Sequence, residues 1–136
     1  MGVAQALSLF FAAGALGGLA NSLVVWLCGE SGVTHALGVA IAPELTTAFL
    51  YPRIVWGGLW GLLFALPLGV HSTLRRGLLV SLAPTAYQLL VVFPRSGRGA
   101  LGLELGALTP VLVLAFNAVW GVVAAWWLRG TRGHAG

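Results

Sequence analysis

From Val3 to Leu27 the chain is one continuous apolar run. At about 1.5 Å of helical rise per residue, such a run crosses the roughly 30 Å hydrocarbon core of a bilayer. No Arg or Lys precedes it, and it outlasts the apolar core of a secretory leader, so it is read as a retained span. The rest of the chain has the same character. Of its 136 residues, 59% are hydrophobic and only 7% charged, with a mean hydropathy of +0.96. A soluble domain is about one quarter charged, so this chain cannot coat a globule in water and takes the bilayer as its solvent. Residues 1–136 are read as one membrane domain.

Three further spans follow. Glu30-Ser31-Gly32 ends the first, and Thr34–Ala42 reads as a short interfacial or re-entrant segment. Ala42-Pro43-Glu44 resembles a helix start, because Pro is tolerated in a first turn and Glu is favourable there. The second span is placed at Arg53–Gly69, extended upstream towards Pro43 with a kink or restart at Pro52. His71–Arg76 is a basic loop, Gly77–Phe93 the third span and Ala100–Leu108 a second short segment. Thr109-Pro110 reads as a cap and first turn, opening the fourth span, Pro110–Leu128. A polar, frayed tail, Arg129–Gly136, contains His134. In this topology Arg75, Arg76, Arg129 and Arg132 share one side, which places both termini in the cytoplasm. Arg-rich, Lys-free composition fits a bacterial inner (cytoplasmic) membrane.

The chain repeats itself. Ala36-Leu37-Gly38 recurs as Ala100-Leu101-Gly102, and Val55-Trp56-Gly57 as Val119-Trp120-Gly121, both at an offset of 64. Residues 36–64 against 100–128 share seven identities in 29, where composition alone predicts roughly three. Leu23-Val24-Val25-Trp26 resembles Leu90-Val91-Val92-Phe93, which sets Asn21 opposite Gln88. The expected fold is an all-α integral membrane protein whose four transmembrane helices form two parallel repeats of helix–short segment–helix, about 3–70 and 74–128.

Small residues mark expected helix-packing faces: Gly14 and Gly18, Gly57 and Gly61, and Gly121 with Ala125. Ala13 and Gly17 form a second pair on the first span, one residue out of phase. Trp26, Trp56, Trp60, Trp120, Trp126 and Trp127 are expected as interfacial aromatics. Asn21, Arg53, Tyr87, Gln88 and Asn117 are polar side chains within apolar helices, candidates for a pathway or for interhelical hydrogen bonding. At 100° per residue Arg53, Trp56, Trp60 and Phe64 form one stripe, with Arg53 placed for a cation–π contact with Trp56.

Catalysis finds no support. Ser22, Ser81 and Ser96 lack a recognisable His–acid arrangement, and His35, His71 and His134 have no metal spacing. A phosphate loop is excluded by the absence of lysine. The net charge of +4 is dispersed between apolar runs and forms no nucleic-acid face. No enzyme activity, cofactor or metal is expected. Cys28, the single cysteine, permits no intrachain disulfide. The primary expectation is a packing or assembly component that self-associates or docks on a larger membrane complex. The alternative is an oligomeric channel or transporter-like conduit for a small solute or ion.

Overall fold

A computed structural model describes residues 2–133, without the side chain of Arg132. Among them there are helices and no strands. Four helical spans are long and apolar enough to cross a membrane, Val3–Glu30, Thr47–Ala65, Thr73–Arg95 and Thr109–Thr131. The helices are α1 (Val3–Glu30), a single turn α2 (Val33–Ala36), α3 (Thr47–Gly61), α4 (Thr73–Tyr87), a single turn α5 (Phe93–Arg95) and α6 (Thr109–Gly133). The outward faces carry large apolar side chains such as Val55, Leu59, Leu90, Val111 and Trp126, the pattern of helices solvated by lipid.

Several boundaries differ from those expected, each for a local reason. The helix near Pro43 starts instead at Thr47, because the Thr46 hydroxyl accepts from the Phe49 N–H and caps it there. It then runs through Pro52 without a restart. It tightens into a 3-10 turn over Leu62–Ala65 and stops short of Gly69. Leu66 is extended, as a residue before proline prefers, and Gly69 has φ 68°. The basic loop is half helix: Ser72 caps α4, so Thr73–Arg76 form its first turn. Beyond α4 the helix widens into a π segment, Gln88–Val92, leading into α5 and Pro94. Pro94 cannot donate to the Leu90 carbonyl four residues back, and widening of this kind accommodates such a defect. The tail stays helical to Gly133, while the expected position of His134 lies outside the described residues.

Glycines set which helices touch. Gly14 and Gly18 of α1 meet the α3 backbone at Gly57, Gly61 and Arg53. A Cβ added at Gly57 would stand 2.7 Å from the Gly14 carbonyl oxygen. Gly17 and Ala13, one residue out of phase, serve the other neighbour: Gly17 lies on Trp120 of α6, and Ala13 is fully buried. Gly77 and Gly121 press α4 against α6. The helices therefore form an arc α3–α1–α6–α4, with α1 antiparallel to α3 and α6, and α4 antiparallel to α6. No comparable face joins α3 to α4. They are bridged by the Trp60–Tyr87 rings, 5.6 Å apart, and by Arg76 donating to the Phe64 carbonyl oxygen.

The connections at one end stack together. Thr34 donates from its hydroxyl to the Ile41 carbonyl, folding 33–46 back on itself, and Gly29 abuts Ala42. The Ala40 N–H donates to the Leu105 carbonyl, and Gly106 fits against Gly38. Ala100–Leu105 is a 3-10 turn. Gly38 and Gly102 both adopt φ 72°. Pro110 lies in the first turn of α6, yet the Thr109 hydroxyl caps nothing and is buried without a partner among the described residues. An unmet buried hydroxyl costs on the order of 1–3 kcal/mol. Thr109→Val, which keeps the shape, is therefore expected to leave the unfolding midpoint unchanged or raise it, as thermal unfolding in detergent would report.

Candidate functional site

The open seam between α3 and α4 holds a cavity of about 350 Å³. One liquid water occupies roughly 30 Å³, so the space is at the small end of ligand pockets. Each of the four long helices contributes to the wall: Gly18 and Asn21 from α1, Arg53, Trp56, Gly57 and Trp60 from α3, Pro84 and Tyr87 from α4, Asn117 and Trp120 from α6, with Gln88 and Val92 from the π segment. Asn21, Arg53, Tyr87, Gln88 and Asn117 thus share one space. None of the three acidic residues, Glu30, Glu44 and Glu104, lines it.

Arg53 is held by α1. Its Nε donates to Ser22 Oγ at 3.0 Å and an Nη donates to Asn21 Oδ1. Its guanidinium lies over Phe49, 4.9 Å from the ring centroid, one turn back on its own helix. The aromatic partner is thus Phe49, which shares the helix face i−4 from Arg53, and not Trp56. Asn21 also donates to the Phe116 carbonyl oxygen of α6 at 2.6 Å, tying three helices together. An arginine has five N–H donors, and two of these are engaged by α1.

The opposite wall is built in the same way with a neutral residue. Asn117 donates to Thr85 Oγ1 at 3.1 Å. Ser22 and Thr85 each donate in turn to the carbonyl four residues back, Gly18 and Ser81. Neither hydroxyl stood out in the sequence. Ser or Thr in an apolar helix satisfies itself by this same i−4 bond, so nothing local marks the two that also receive a bond from another helix.

Trp120 corrects an expectation. It is only 4% exposed, and its indole N–H is shared between the Gly14 and Gly57 carbonyl oxygens at 3.0 and 3.3 Å. Close approach of glycine backbones leaves those carbonyls accessible to a neighbouring donor, which draws the indole inward. Trp60 is half-buried on the cavity wall. Trp56 lines the same wall and is 56% exposed; Trp126 faces outward, and Trp26 and Trp127 are half-buried. Below the cavity, Phe10, Ala13, Phe64, Val80, Trp120, Ala124, Ala125 and Leu128 form a buried apolar plug. The chain therefore has a polar half nearer the stacked connections and an apolar half nearer the termini. Compared with known protein families, with curated proteins and with solved structures, the chain shows no match to any of them.

Proposed function

We propose that the protein is a membrane conduit for a small solute or ion, with its binding site in the α3–α4 cavity. One observation carries this reading: Arg53 and the amides Asn21, Gln88 and Asn117, from all parts of the arc, line a single space. Ionisable and amide side chains are expensive in hydrocarbon, and their convergence on a cavity supports a pathway over separate packing contacts. The occupation of the glycine faces by neighbouring helices of the same chain favours this reading over assembly through those faces. Among the described residues the lining contains no Ser, Cys, His, Asp or Glu, which favours transport over catalysis.

The finer architecture belongs to the same proposal. Two repeats are supported by paired contacts: Arg53–Ser22 with Asn117–Thr85, Gly57 between Gly14 and Gly18 with Gly121 between Gly77 and Ser81, and the shared φ of Gly38 and Gly102. These contacts pair Ser22 with Thr85 and Asn21 with Pro84, in place of Asn21 with Gln88. The membrane is proposed to be a bacterial inner membrane with cytoplasmic termini, the side of Arg75, Arg76 and Arg129. A second copy facing the seam would wall the cavity from lipid, so the conduit is proposed as an oligomer.

The test is solute and ion flux into liposomes containing the purified chain. Arg53→Gln is expected to lower flux roughly tenfold, a change of about 1.4 kcal/mol in the barrier. Glu44→Gln, outside the cavity, is expected to leave it unchanged. Equal flux in the wild type and Arg53→Gln would remove the cavity from the path.

A further inference from the structure

Two more cavities lie on the far side of the plug. One, of about 350 Å³, is lined by Phe10, Phe64, Pro67, His71 and Arg76 among others. The second, of about 280 Å³, is lined by His71, Ser72, Thr73, Arg76 and Arg129 with Val70 and Ala125. Arg76 borders both, and its guanidinium lies 5.3 Å from the centroid of the Phe64 ring. Phe64 is 1% exposed and stands 5.9 Å from the Trp120 ring, which itself borders the Arg53 cavity. A layer formed by Phe64 and Trp120 thus separates a cavity containing Arg53 from one containing Arg76. The stripe Arg53–Trp56–Trp60–Phe64 connects them along α3 and its 3-10 extension. The eleven steps from Arg53 to Phe64, mostly α and the last three 3-10, give about 18 Å, more than half of a hydrocarbon core.

We propose that the cargo is a small monovalent anion, passed between Arg53 and Arg76 through a gate formed by Phe64 against Trp120. This rests on the conduit reading. The charge on the walls selects the class. Arg53 lines the first cavity and none of the described residues around it is Asp or Glu, so a cation is repelled at the Arg53 station. A neutral solute gives no return for holding a guanidinium within an apolar helix. One guanidinium at the Arg53 station, already shared with Asn21 and Ser22, matches a single negative charge. The plug is apolar, so the closed gate excludes a hydrated ion until the rings part.

The experiment uses the full chain in liposomes under a potassium nitrate or potassium chloride gradient, with urea efflux measured in parallel. The expected result is a reversal potential on the anion side, flux raised roughly tenfold by Phe64→Ala and lowered several-fold by Arg76→Gln. Potassium or urea flux without anion flux overturns the anion assignment and leaves the conduit standing. No flux of any solute overturns both. Because Phe64→Ala opens a core cavity, a second measurement is made on the wild type in detergent: tryptophan fluorescence titrated with sodium iodide. A saturable component lost in Arg53→Gln supports the site. A linear response identical in the two proteins overturns it.

Discussion

Gly14→Leu is expected to abolish the folded protein, seen as loss of the monodisperse species and of cooperative unfolding in detergent. A side chain at Gly14 meets the Gly57 carbonyl and the Gly61 backbone, and none of these atoms can rotate away. Overpacking against mobile side chains costs about 1–3 kcal/mol; against two backbones it exceeds that range and takes much of a total stability of roughly 5–15 kcal/mol. The crossing also presents the Gly14 and Gly57 carbonyls to Trp120, so separating α1 from α3 undoes the seat of α6 as well. Gly130→Leu is the matched control. Gly130 lies in a helix with nothing near its missing Cβ, and that variant is expected to unfold like the wild type.

Asn21→Leu is the second large effect. It removes the acceptor of an Arg53 N–H and the donor to the Phe116 carbonyl in one step. Bonds to charged groups contribute about 1.5–3 kcal/mol, above the roughly 0.6 kcal/mol typical of neutral pairs between membrane helices. A loss of about 2–3 kcal/mol is therefore expected in reversible unfolding. The diagnostic is the double variant with Arg53→Met. Once the guanidinium is gone, leucine at position 21 strands only a carbonyl, so the double variant should lose at least about 1 kcal/mol less than the two single losses combined. Additive losses would mean that Arg53 does not depend on Asn21.

The four spans were legible because apolar length is a property of each segment alone. The stacked connections were partly legible for the converse reason: Gly38 and Gly102 interrupt apolar runs where a left-handed residue is needed. The start of α3 was not, since Pro43 and Thr46 are both acceptable openings and only the fold of 33–46 decides between them. The polar residues of the site could be picked out singly, because an amide or guanidinium in an apolar helix is conspicuous. That they face one space depends on which helix faces are joined by glycine, and above all on α3 and α4 lacking such a face. Trp120 was misplaced because periodicity gives a tryptophan a direction but not a depth. Its burial follows from two carbonyls contributed by other helices.

The tie between Arg53 and α1 has a consequence for biogenesis. An arginine well inside a helix raises the cost of releasing that helix into lipid by roughly 2.5–3.5 kcal/mol on translocon scales. The acceptors that offset this, Asn21 and Ser22, lie on the helix synthesised before it. If the chain enters a bilayer as it is made, α1 would stand at the exit as a template and α3 would leave the translocon against it as a hairpin. Helix α6 would then emerge last and close over both through Trp120. The order of the helices along the chain is thus also a workable order of insertion, and a permuted chain that made α3 before α1 would have to release Arg53 before its acceptors existed.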